Sequence, residues 1–222
     1  MPSLPPSRGH AWALWIATLF LCACGPPRGP VRGPVAGTLT RSGLHGLDVA
    51  DALEALIAVS ADSAADRQYA YQRLSAEPVV TAQDALARAI VAGRLAQISG
   101  VSATGLVAEV ERYARSSAQL DPNFRSGAAQ RLLGTLYVLA PAALLEHGDS
   151  EVGLELLKNV AAHFPAYLPN RLRVAEAYLA LGDPEPAQLH LCYCVSRRSE
   201  LRPDERRLLD DLLAQDPVAL CP

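Results

Sequence analysis

From Leu44 onward, apolar residues recur three and four positions apart, the spacing that lines one face of an α-helix. No stretch alternates with the period of two that a half-buried strand needs. Gly, Pro and Asp punctuation divides the pattern into about nine predicted helices. The first covers Leu47 to Val59, with Ala50, Leu53 and Ile57 on one face, and the second runs from about Asp62 to Ala76, stopped by Pro78. Thr81 with Asp84 predicts the cap of the third, whose stripe is Leu86, Ile90 and Gly93. After a loop at Ser99 to Ser102, the fourth extends from about Ala103 to Leu120, ahead of Asp121-Pro122. The fifth is expected from Phe124 to Ala140, ending at Pro141, because the residue before a proline is pushed out of the helical region. Asp149 caps a sixth that reaches about His163. Pro169, Pro184 and Pro203 begin the last three, since proline fits the first helical turn.

These helices repeat. Gly148-Asp149 and Gly182-Asp183 are 34 residues apart, the tetratricopeptide period. Gly148, Gly153, Leu157, Val160 and Pro165 occupy the small, bulky and proline positions of one unit. Tyr178, Gly182, Ala187, Leu191 and Cys194 occupy those of the next. Small residues let two helices approach closely and glycine permits the tight turn, so these are packing roles. Upstream, Leu133-Gly134-x-x-Tyr137 fits the first helix of such a unit, yet Gly148 arrives about seven residues late for the period. Apolar Ala140-Pro141-Ala142-Ala143-Leu144-Leu145 fills that insertion. The expected fold is all-α, a tetratricopeptide-like superhelix of helical hairpins over residues 47–222.

The head of the chain is different. After Arg8, the apolar run Ala11 to Leu21 is too short to cross a bilayer as a permanent helix. It closes on Leu21-Cys22-Ala23-Cys24, which resembles a bacterial lipobox. That resemblance implies a signal peptide over 1–23, cleavage behind Ala23 and acylation of Cys24, whose several acyl chains anchor far better than one. The competing expectation is an ordinary secretory signal with Cys24 an incidental thiol. Glycine and proline alternate from Gly25 to Gly37, so residues 24–46 read as an extended tether whose Gly/Pro part spans ~40 Å at ~3 Å per residue. By analogy with lipoproteins of double-membraned bacteria, the lack of Asp at position 25 implies a periplasmic protein held at the outer membrane.

Charge and chemistry narrow the function further. The net charge of −3 becomes −4 once Arg8 leaves with the leader, and the arginines are scattered, which excludes nucleic acid as a partner. No Gly-x-Ser-x-Gly elbow, His-Glu-x-x-His pair or glycine-rich phosphate loop occurs, so no enzymatic activity and no cofactor are expected. His45, His147 and His163 stand singly at helix boundaries, and Glu109-x-Glu111 and Asp210-Asp211 read as solvated helix surface. His190-x-Cys192-x-Cys194 suggests a soft-metal site, but residues two apart point nearly opposite ways on a helix, so no metal is assigned. In an oxidising compartment one helical cysteine is expected to pair with Cys221. The small buried repeat position of Cys194 favours Cys194–Cys221, with Cys192 free and exposed.

Taken together, Gln130-Arg131-Leu132-Leu133-Gly134-x-x-Tyr137, Ala140-Pro141, Gly148-Asp149, Pro165-x-Tyr167-x-x-Asn170 and Ala175-x-Ala177-Tyr178 resemble the T-component family associated with TRAP transporters. The likeness covers about Asn123 to Leu191 and departs from the family in Gly153, where Ala is usual, and in the cysteine-rich end. It implies a periplasmic lipoprotein that forms homotrimers, works beside a substrate-binding P-component and presents a cavity to a small hydrophobic ligand. Pro141, Leu144 and Leu145 would then belong to a ligand or partner loop. Leu133, Gly134, Tyr137, Gly148, Asp149, Pro165, Tyr178, Gly182 and Ala187 would be scaffold. The alternative is a general outer-membrane adaptor using its concave groove, and a weaker third is metal carriage by the C-terminal cysteines.

Overall fold

The computed structural model describes residues 43–215 together with Cys221. The leader, Cys24 and most of the tether lie outside the described residues. Among those described there are nine α-helices and no strand. In chain order they are α1 (Leu47–Ala58), α2 (Ala64–Ser75), α3 (Ala82–Ala96), α4 (Thr104–Leu120), α5 (Ala128–Leu139), α6 (Ser150–His163), α7 (Leu168–Ala180), α8 (Pro184–Ser196) and α9 (Pro203–Gln215). Short 3-10 turns occupy Gly100–Ala103, Ala142–Leu144 and Arg198–Glu200. No helix among the described residues is long and apolar enough to cross a membrane.

Local chemistry explains most boundaries. Ser63 with Asp66 and Thr81 with Asp84 form complete capping boxes, each satisfying orphan amides at a helix start. Asp149 accepts from the Glu151 and Val152 amides at 3.0 and 2.9 Å and so starts α6. Gly182, at φ +79°, ends α7 as its amide bonds to the Leu179 carbonyl and that of Asp183 to the Tyr178 carbonyl. The start of α5 differs from expectation, Ala128 rather than Phe124. Arg125, Ser126 and Gly127 all lie in the left-handed region, at φ 50, 55 and 73°. For the two non-glycine residues this costs about 1–2 kcal/mol each. Tertiary contacts offset it. Both Arg125 Nη atoms reach Asp51 of α1 at 2.6 Å, and the Ser126 carbonyl accepts from Asn170 Nδ2 of α7 at 3.2 Å.

Consecutive helices pair as hairpins, α3 with α4, α5 with α6 and α7 with α8. Between these units α1 packs on α3, α4 on α5, α5 on α7 and α7 on α9. The core is accordingly a string of small clusters, each bridging neighbouring helices. Val49, Ala50, Leu53, Ala70, Leu74, Ala87 and Val91 join the first three. Leu168, Leu172, Ala175, Ala187, Leu191, Cys194, Leu209 and Leu212 join the last three. In addition, α9 packs against α1. Arg207 donates to the Ala58 and Ile57 carbonyls at 3.1 and 3.2 Å, capping the C-terminal end of α1, where a cation suits the helix dipole. Glu54 of α1 binds Arg94 of α3 through both oxygens at 2.5 and 2.7 Å, with Arg202 at 3.8 Å.

Candidate partner interface at the inserted segment

In the expected repeat scaffold, α5 and α6 approach each other closely at two glycines. A Cβ on Gly134 would lie 2.8 Å from the Gly153 carbonyl oxygen and 2.6 Å from Leu157 Cγ, and a Cβ on Gly153 would lie 2.8 Å from the Gly134 oxygen. Paired glycines let the two backbones touch. One turn further along α5, the buried Tyr137 ring fills the space where a Cβ on Gly148 would sit, 2.3 Å away. Of the expected scaffold residues, Leu133 and Tyr137 are buried in one cluster and Ala187 in another, and Gly134, Gly148 and Gly153 make close contacts around Tyr137 and Leu157. Tyr178 bridges two of the clusters and stacks on His190 at 6.3 Å, whereas Pro165 is exposed and offers its carbonyl to Arg171 Nε at 3.0 Å.

The segment between these two helices is held by Glu111 of α4. Its carboxylate accepts from the Tyr137 hydroxyl at 2.9 Å and from the amides of Glu146 and His147 at 2.9 and 2.8 Å. Glu111 is 2% exposed, which overturns the expectation that it forms solvated surface with Glu109. The signal was present in the sequence: Glu111 falls four residues after buried Val107 and three before buried Ala114, on the inward stripe of α4. Burial alone would raise its pKa, but the amides of Glu146 and His147 and the Tyr137 hydroxyl outweigh it and hold the carboxyl below its ordinary value. Glu109 is also engaged, accepting from the Tyr71 hydroxyl at 3.0 Å.

Anchored in this way, the insertion divides into two faces. Leu145 packs on Ala89, Ala114, Leu133 and Tyr137, so it belongs to the core rather than to a ligand loop. Leu144 is half-buried, while Pro141, Ala142 and Ala143 are exposed beside Leu139, itself 49% exposed. On the other side, Glu146 and His147 wall a surface cavity of about 590 Å³. Its floor is one stripe of α4, Gly105, Ala108, Arg112, Arg115, Ser116 and Gln119. The two arginines were not singled out by sequence, because nothing local distinguishes them from the scattered others.

The cysteines pair differently from expectation. Cys192 bonds to Cys221, their Cα atoms 5.1 Å apart, and Cys194 is the free thiol. The physical reason is burial. Cys194 sits in the α7–α8–α9 seam with no exposed surface, its Sγ toward the Leu168 carbonyl at 3.9 Å, so the tail cannot reach it. Two residues earlier, Cys192 lies on the half-exposed side of α8. Desolvation pushes the Cys194 thiol up to about 11. Among the described residues no group of three His, Cys, Asp or Glu side chains is placed to hold a metal ion. No protein-family model matches this chain, and no curated protein matches it either.

Proposed function

We propose that this protein is a non-catalytic, lipid-anchored accessory protein of the T-component kind, built on a tetratricopeptide-like array. In this reading it engages the periplasmic substrate-binding protein of a TRAP transporter. The observation that carries the reading is the insertion between α5 and α6. It is the feature that sets the resembled pattern apart from an ordinary repeat, and Glu111 holds it so that Pro141, Ala142 and Ala143 face outward next to Leu139. Exposed apolar residues gathered on an ordered segment suit a contact with another protein or subunit. The hairpin packing around Gly134 and Gly153 supports the same assignment, because it supplies a rigid platform.

The test is co-purification of the chain from its native envelope after mild crosslinking, with mass spectrometry of what it carries and light scattering of its assembly state. A TRAP substrate-binding protein is expected from the wild type, in a trimeric assembly, and should be lost from Leu144→Glu at unchanged helicity. Recovery of other envelope proteins in its place, unaffected by Leu144→Glu, overturns the TRAP assignment and leaves a general adaptor. Anchoring is tested separately. Palmitate label should enter the wild type and be absent from Cys24→Ser, which should leave the membrane fraction; label that survives the substitution removes the lipid anchor.

A further inference from the structure

Helix α9 carries little core of its own. Of its thirteen residues only Leu209 and Leu212 are buried, in one cluster with Leu168, Leu172, Leu191 and Cys194 of α7 and α8. The exposed ion pair of Arg198 with Asp210 adds little. A short polar helix with so narrow an apolar stripe is marginal by itself. The Cys192–Cys221 disulfide supplies what the stripe lacks, because the separation of 29 residues that it closes contains the whole of α9.

Two distant parts of the fold depend on where α9 lies. Arg207 donates to the Ala58 and Ile57 carbonyls at 3.1 and 3.2 Å, and Arg202, just ahead of α9, stands 3.8 Å from Glu54, so the last described helix is fastened to the first. Cys194 lies in the seam between α7, α8 and α9 with no exposed surface. The other two cysteines are within reach of solvent, since Cys192 and Cys221 are only half-buried and a thiolate can approach either sulfur. Accessible disulfides are the ones that reductants address. Cys194 stays out of such an exchange, because it is buried and desolvation pushes its thiol up to about 11.

We propose that the Cys192–Cys221 disulfide is a redox latch, whose reduction by a protein dithiol releases α9 both from α1 and from the α7–α8 seam. One thiolate of the dithiol attacks a sulfur of the pair, forming a mixed disulfide and expelling the other cysteine as a thiolate. The second thiol of the reductant then displaces the first. Cys192 and Cys221 end as thiols and the reductant as a disulfide, two electrons and two protons having passed between them. The reverse exchange, with the oxidised form of the same dithiol, closes the latch. Release uncaps the C-terminal end of α1 and bares Cys194, so one covalent bond on α8 governs an amide-exchange signal at α1 and a thiol in the core. The latch goes beyond the transporter reading and does not depend on it.

The experiment compares the oxidised, detergent-solubilised full chain with the same chain reduced by dithiothreitol and with the Cys192→Ser, Cys221→Ser double variant. Amide exchange is followed in all three, and iodoacetamide labelling of Cys194 is read by peptide mapping in the oxidised wild type and the double variant. Labelling of Cys194 should quicken by about tenfold or more in the double variant. Exchange should quicken in α9 and in the last turn of α1 on reduction, while the α5–α6 pair around Gly134 and Gly153 keeps its protection. Arg207→Gln in the oxidised chain separates the two joints, since the end of α1 should loosen while Cys194 stays protected. Unchanged labelling and exchange without the disulfide overturn the latch. Equal quickening in α5 and α6 also overturns it, because the bond then holds the whole fold rather than α9. Quickening of α9 with α1 unmoved removes the link between the two helices and the proposal with it, and labelling of Cys194 in Arg207→Gln as fast as in the double variant takes the latch away from the disulfide.

Discussion

Replacing Glu111 by glutamine tests how the inserted segment is held. Glu111 Oε1 accepts from the Tyr137 hydroxyl and the His147 amide, and Oε2 accepts from the Glu146 amide. A glutamine keeps one oxygen and presents an NH₂ group in place of the other, so at least one buried donor faces a donor. Hydrogen bonds to a charged group are worth about 1.5–3 kcal/mol each, and water can reach the two loop amides but not the buried hydroxyl. The net expectation is a loss of about 2 kcal/mol, or roughly 4–8 °C in Tm for a domain of this size. The pH dependence has a definite sign. The folded carboxyl is held below the ordinary glutamate value of 4.5, so its contribution is complete above that value and is lost as pH falls through the folded one. The gap between wild type and Glu111→Gln in urea unfolding should therefore be full at neutral pH and shrink in acid below about 4.5. Amide exchange at Glu146 and His147 should quicken in the variant at neutral pH. A loss under about 0.5 kcal/mol together with unchanged exchange at those two amides would refute the claim that Glu111 anchors the insertion.

Four further outcomes follow from the same structure. Gly153→Ala should cost about 1–3 kcal/mol by urea unfolding, because its Cβ meets the Gly134 carbonyl oxygen and Tyr137 Cβ, each at 2.8 Å, and the helices must part. Asn170→Ala should cost about 2 kcal/mol and speed tryptic cleavage after Arg125, since the fully buried amide bridges Arg131 Nη1 at 2.7 Å and the Ser126 carbonyl at 3.2 Å. Unaltered cleavage would mean that the left-handed turn holds itself. Non-reducing peptide mapping should join Cys192 to Cys221, a separation of 29 residues, and Cys192→Ser should destabilise by roughly 3–4 kcal/mol. Cys194 should resist alkylation at neutral pH in the folded protein and react only on unfolding, its thiol being raised to about 11.

What the sequence determined by itself was whatever depends on neighbours within a turn or two. The Thr81–Asp84 box, the Asp149 cap, the prolines at 169, 184 and 203 and the glycine at 182 each act over three or four residues, and the helices begin and end where those residues dictate. Apolar spacing along α4 and α7 likewise marks the inward face before any partner is known. Tertiary structure decided the rest, where the determining contact is far along the chain. Phe124 to Gly127 read as helix because nothing local opposes it, yet Asp51 and Asn170, distant in sequence, hold Arg125 and Ser126 in a left-handed turn. The repeat position already marked Cys194 as buried and Cys192 as exposed, but only the α7–α8–α9 seam shows that the buried thiol is the one out of the tail's reach. Glu111 lay on an inward stripe, but a carboxylate is buried only if donors meet it, and those come from an insertion some 35 residues later. The packing of α9 on α1 has no local signal either, since it depends on how every intervening hairpin is stacked.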